Sequence, residues 1–185
     1  TYLVKDIYAG TQSSFPDYFA VFNDELFFQA IDSAGGYELW KTDGTDTGTV
    51  QVIDIIPGTV GSGPTYLTVV GNTLFFAAGD ANGRSQIWKS DGTASGTVMV
   101  KDIYPTGDAQ IEDPASVLGK FFFSANDGTH GLELWVSDGT AAGTFMVKDI
   151  FDGGGSSIYY HTPYQGKMLF IADDGDNGYD IWITD

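Results

Sequence analysis

Residues 133–150 read ELWVSDGTAAGTFMVKDI, and this stretch decides the fold because the chain repeats it. Residues 38–55 read ELWKTDGTDTGTVQVIDI, residues 86–103 read QIWKSDGTASGTVMVKDI, and residues 180–185 give a shortened DIWITD. The tryptophans at the centre of each copy, Trp40, Trp88, Trp135 and Trp182, stand 48, 47 and 47 residues apart. A fixed period of roughly 20–50 residues marks a repeat architecture. The opening residues, TYLVKDI, match the tail that the fourth copy lacks. The chain therefore reads as an excerpt of a mature protein, or a processed segment, that begins in mid-repeat.

Working outward from each tryptophan gives four strand-like runs per unit. The first runs are Tyr18–Phe22, Tyr66–Val70, Ala115–Leu118 and Tyr160–Tyr164. Short turns such as Asn23-Asp24 and Gly71-Asn72 follow, a two-residue hairpin signal. The second runs are aromatic and begin at Leu26, Leu74, Phe121 and Leu169; the third carry the tryptophans. The DGTxxGT loop leads to the fourth, such as Val98–Ile103. No window holds helical apolar spacing for long, and Val, Ile, Phe, Tyr and Thr fill the runs, so the chain is all-β.

A four-stranded antiparallel sheet of this length is one blade of a β-propeller. The expectation is a single domain over residues 1–185. Its repeats fall at about 17–55, 64–103, 113–150, and 160–185 together with 1–7. Tyr2–Ile7 would then pair with Tyr179–Thr184, so that the N-terminal strand closes the last of four four-stranded blades. The alternative is half of an eight-bladed ring shared by two chains.

Composition limits the partners. Eight basic residues stand against 25 acidic ones, a formal net charge of −17. That field repels nucleic acid and anionic membranes, so neither is a partner. No apolar run approaches the length needed to insert in a membrane as a helix. With no cysteine, thiolate metal sites, disulfides and thiol nucleophiles are excluded.

These repeats resemble the bacterial ELWxxDGT repeat family, with Phe121–Ile150 the best match. The resemblance implies a secreted or cell-surface repeat protein, often one part of a longer multidomain chain, and supplies no reaction. Three positions depart from the pattern. Arg84 stands where the other copies have Gly36, Gly131 and Gly178; Ile53 replaces the KDI lysine; Gln86 replaces the acid before the tryptophan dipeptide.

Asp43, Asp91 and Asp138 open the DGTxxGT loops, as turn residues that bond amides two positions on. These loops are similar to the Asp-box turns of sialidase-type propellers, where the motif is structural. The candidate ligand-binding acids are Asp32, Asp80, Asp127 and Asp174, each eight residues before its tryptophan in the loop between second and third strands. In a propeller they would ring one face. Asp174, Asp176 and Asp180 space oxygen ligands around a Gly turn, which makes calcium the one candidate cofactor. Tyr159, Tyr160 and Tyr164 are candidates for stacking on a sugar. His130 and His161 have no repeated partner, and no catalytic constellation is evident. The expected function is therefore a secreted or surface module, not an enzyme, for adhesion, assembly or partner binding. Its partner would be a surface glycan or a protein, a second copy or sibling repeat domains included. A lectin-like glycan binder is the alternative, and a glycan-acting hydrolase the remaining one.

Overall fold

The computed structural model describes residues 1–184, and among them there are fifteen strands and no helix. They form four antiparallel sheets in sequence order. The first sheet holds β1 (Asp17–Phe22), β2 (Glu25–Ile31), β3 (Tyr37–Thr42) and β4 (Val50–Ile53). The second holds β5 (Thr65–Val70), β6 (Thr73–Gly79), β7 (Ser85–Ser90) and β8 (Val98–Lys101). The third holds β9 (Glu112–Val117), β10 (Lys120–Asn126), β11 (Leu132–Ser137) and β12 (Phe145–Lys148). The fourth stops at three, β13 (Tyr159–Tyr164), β14 (Lys167–Asp173) and β15 (Tyr179–Thr184).

The closing strand expected at Tyr2–Ile7 does not form. Those residues pair with no sheet. Side chains hold them elsewhere: Lys5 Nζ donates to the Asp46 carbonyl at 3.0 Å, and Ile7 packs on the Phe28, Ala30 and Trp40 cluster.

The chain divides into two compact units, Thr1–Arg84 with Trp88–Val98, and Ser85–Ile87 with Met99–Asp185. In the first, Phe22, Phe27 and Leu39 pack with Leu74, Phe76 and Ala78, with Trp88 at the margin. In the second, Phe122, Leu134 and Val136 pack with Ile158, Met168 and Phe170, with Trp182 at the margin. The aromatic second runs are thus core, as their all-apolar pattern implies. Phe27, Phe76, Phe121 and Phe123 are wholly buried. A buried ring of this kind contributes about 1.5–3 kcal/mol over an exposed one.

The repeated words of the sequence prove to be joints. In the DGTxxGT loop, Asp43 Oδ1 accepts from Thr45 N at 2.9 Å and from Thr45 Oγ1 at 2.7 Å, while Gly48 N donates to Thr45 Oγ1 at 2.9 Å. Asp91 and Asp138 repeat this bonding. The second glycine is obligatory because a Cβ on Gly48, Gly96 or Gly143 would overlap the aspartate carboxylate. The loop is structural in each of these three copies; Asp185, its counterpart in the fourth, lies outside the described residues.

The acid of ELW anchors the link to the following sheet. Glu38, buried, accepts from Ile55 N, Ile56 N and Ser62 N, and from the Ser62 hydroxyl. Glu133 does the same with Ile150 N, Ser156 N and the Ser156 hydroxyl. Burial raises both carboxyl pKa values, and these hydrogen bonds offset part of the rise. Gln86 follows a different rule. Its Oε1 accepts from Ile103 N at 2.9 Å, and the residue facing it in the repeat is Ala109, which brings no hydroxyl. The Glu→Gln departure is therefore matched by a Ser→Ala change 23 residues on.

The KDI tail locks onto the next sheet. Lys101 Nζ donates to the Thr144 carbonyl at 2.6 Å and lies 5.6 Å from the Trp135 ring centre; Lys148 Nζ lies 5.0 Å from that of Trp182. The next aromatic fits the following hairpin loop, Tyr104 over Gly128 and Phe151 over Gly175, where any Cβ would strike the ring.

Candidate binding site

Each of the four loop aspartates accepts backbone amides of its own turn. Asp32 Oδ1 accepts from Ala34 N at 2.8 Å. Asp127 accepts from Thr129 N and His130 N through Oδ1, and its Oδ2 lies 2.8 Å from His130 Nδ1. Asp174 Oδ1 accepts from Asp176 N and Asn177 N, and Oδ2 from Asn177 Nδ2 at 2.9 Å. Burial acts to raise the Asp127 carboxyl, but hydrogen bonds from His130 outweigh it and hold the pKa below its ordinary value. The same pairing, through the Asp127 hydrogen bond first, raises the pKa of His130.

Asp80 is the most strongly held. Only 6% of it is exposed, and it accepts from Asn82 N, Arg84 N, Arg84 Nε at 3.0 Å and Arg84 Nη2 at 2.6 Å. Burial opposes its charge, yet the Arg84 guanidinium and the amides win and set its pKa at about 2. This explains why arginine can stand in a glycine column. Gly36, Gly131 and Gly178 have φ of +81°, +75° and +78°, whereas Arg84 has no positive φ. The loop keeps a left-handed residue at Gly83, at +74°, as its counterpart Gly35 does at +89°, and the next position carries a side chain that neutralises Asp80.

Asp174, Asp176 and Asp180 do not converge. Among the described residues no three His, Asp or Glu side chains are grouped to hold a metal ion. Nor is a triad assembled: Asp127–His130 is an acid–imidazole pair, but no described hydroxyl bonds its other ring nitrogen. His161 lies half-buried against the Asp113 backbone, and burial lowers its pKa.

The first strand of every sheet carries a bulge, and the bulge displays a side chain. Register shifts fall between Asp17 and Ala20, Thr65 and Thr68, Phe122 and Ser124 of the β9–β10 ladder, and Tyr159 and Thr162. Within them Tyr18, Tyr66, Asp113 and Tyr160 adopt left-handed φ of 55°, 58°, 46° and 58°. A bulky residue there is strained by about 1–3 kcal/mol, and bulges with such strain cluster at functional sites. The sequence signal was present: these positions are 48, 47 and 47 residues apart, and three are tyrosine. In the first unit Tyr18 and Tyr66 meet edge-to-face at 6.0 Å.

In the second unit the bulge borders a shallow, solvent-open cleft of about 350 Å³ lined by Tyr159, Tyr160, Ile171 and Tyr179. Tyr159 faces Tyr160 at 6.4 Å and 54°, and Tyr179 at 6.0 Å and 47°. Exposures of 43%, 78% and 58% for Tyr159, Tyr160 and Tyr179 leave these rings uncovered. Two of the three tyrosines singled out from sequence thus come together. Tyr164 does not: it pairs with Lys167 at the other end of β13. Tyr179 escaped sequence reading because, of its equivalents Tyr37, Ser85 and Leu132, only Tyr37 is aromatic.

No protein-family model matches the chain, and no curated protein matches it either. Among solved structures, puromycin hydrolase aligns with a TM-score of 0.62 at 13% identity, over 92% of this chain and 27% of that chain. A mutant of that enzyme complexed with PGG gives 0.60 at 13% identity, over 90% and 26%. An α-L-arabinofuranosidase from Clostridium thermocellum, at 15% identity over 91% of this chain and 66% of that one, reaches only 0.34 and carries no weight. The chain spans about a quarter of puromycin hydrolase, and at such identity the likeness shows the fold alone, propeller-like and all-β.

Proposed function

We propose that this chain is a non-catalytic binding module, displayed outside the cell, that engages a partner through exposed tyrosines at the bulged ends of its first strands. The carrying observation is the cleft of Tyr159, Tyr160 and Tyr179, where three large rings are held open beside a strained backbone. Packing alone gives no reason to keep them there, since rings left in water forgo the stabilisation that burial would bring. Chemistry in the repeats is committed elsewhere: turn aspartates cap their loops, and the buried glutamates hold links between strands. Exposure of aromatic anchors fits recognition, where Tyr is enriched at sites that dominate binding.

A sedimentation assay tests this reading. The purified chain should spin down with bacterial envelope material. A variant with Tyr159, Tyr160 and Tyr179 all changed to Ala, with an unaltered β spectrum, should be retained at least fivefold less. Equal retention of both proteins would remove the tyrosines from the function. A lectin-like reading draws on the same rings, with a sugar laid flat against one of them.

A further inference from the structure

We infer that the Tyr159–Tyr160–Tyr179 cleft is an aromatic half-cage for a quaternary or alkylated ammonium group; this rests on the proposed reading of these tyrosines as a binding surface. Ring geometry is the first argument. A sugar stacks on a flat, unobstructed ring face, whereas rings inclined at 47° and 54° to a common neighbour form walls around a wedge. Their centroid separations of 6.0 and 6.4 Å put Tyr159 in contact with both neighbours, so a compact tetrahedral group would sit on the solvent-facing side of the wedge, over the tilted ring faces. A cation within about 6 Å of a ring centre is attracted by the negative face of the ring, and several rings add their attractions.

Charge supplies the second argument. Ile171 pairs with Tyr159 on one side of β14, Asp173 pairs with Tyr179 on the other, and Ile171 and Asp173 are two residues apart. Alternation along a strand then puts Tyr159, Ile171, Asp173 and Tyr179 on the same face of the sheet. Asp173, whose Oδ1 accepts from Gly175 N at 2.7 Å, thus lies on the same sheet face as the rings, and no lysine or arginine is among the cleft's lining residues. The surrounding field points the same way, with 25 acidic residues against eight basic ones. An anionic ligand would be repelled; a methylated ammonium, large and weakly hydrated, loses little by leaving water.

The geometry also separates this site from its counterparts. In the third sheet the bulge residue is Asp113, and in the first unit Tyr18 meets Tyr66 edge-on at 61° rather than tilted. In the fourth sheet Tyr159 contacts both the bulge residue Tyr160 and Tyr179 of β15, on the far side of β14.

Choline chloride and its uncharged isostere 3,3-dimethylbutan-1-ol distinguish a cage from an apolar cleft. Titration is followed by tyrosine fluorescence and by NMR shifts of the ring protons. Choline should bind about tenfold more tightly than the isostere. Tyr159→Leu should weaken choline at least fivefold, and Tyr164→Leu, outside the cleft, should leave it unchanged. Added sodium chloride should weaken choline binding and leave the isostere unaffected. Equal binding of the two probes overturns the cage. Binding of methyl glycosides that depends on Tyr159, without choline binding, also overturns it while sparing the broader reading. Failure of all probes together with equal envelope retention of wild type and the triple variant overturns both.

Discussion

Arg84 shows how one residue can depart from a repeat and bring its compensation with it. The side chain fills a glycine column, and the carboxylate it neutralises is the buried Asp80, one residue of the same loop. Removing it with Arg84→Gly strands a buried charge, and urea unfolding at neutral pH should report a loss of roughly 2–3 kcal/mol. The pH dependence follows in sign. The folded pKa of Asp80, about 2, lies below the ordinary value of 3.8, so its stabilisation is complete above that value. It is lost as pH falls from about 4 to about 2, and amounts to roughly 2 kcal/mol. In Arg84→Gly that acid limb should flatten; an unchanged limb would assign it to other carboxylates. Sequence showed Arg84 as an exception but not its reason. The reason lies in a backbone that needs no positive φ at this position and in a contact to Asp80 four residues back, neither of which composition shows.

At the scale of the element, the links between strands follow a two-letter code. Glu38 with Ser62 and Glu133 with Ser156 pair an acid with a hydroxyl; Gln86 stands with Ala109. Ser156→Ala removes a donor from a buried carboxylate and should cost about 1–3 kcal/mol. Adding Glu133→Gln should recover part of that cost, because the second repeat lives with that combination. A double-mutant cycle in urea measures the coupling, expected to exceed about 0.5 kcal/mol; strict additivity would break the code. Strands and hairpins were legible in the sequence because period and turn chemistry agree at every junction. This pairing was legible only in retrospect, since its partners lie 23 or 24 residues apart and follow no local pattern. The bulges were hidden for another reason: Tyr18, Tyr66 and Tyr160 look like ordinary strand residues until their φ angles are known.

For the whole molecule, the net charge of −17 sets the response to salt. Self-repulsion is screened as ionic strength rises, so sodium chloride should raise the melting temperature. Calcium and magnesium compared at one ionic strength separate screening from binding. Equal shifts are expected, because Asp174 commits both oxygens to its turn and no three candidate ligands are grouped among the described residues. A shift specific to calcium would mark an ion site by mass action. Architecture was legible at this scale down to the strand count of three sheets. The exception, Tyr2–Ile7, carries the right letters for a strand, yet Lys5 and Ile7 draw it to the first sheet.

That capture of a KDI tail has a further consequence. Two tails reach forward to their successors, Lys101 to Thr144 and Phe151 to Gly175, and Glu38 and Glu133 each close their own outgoing link. A period of 47 or 48 residues therefore carries both a plug and a socket. Such a chain can lengthen or shorten by whole periods through gene duplication or loss without redesigning a joint. A change of half a period would leave a plug facing a plug. The unit of inheritance and the unit of assembly are the same length of chain.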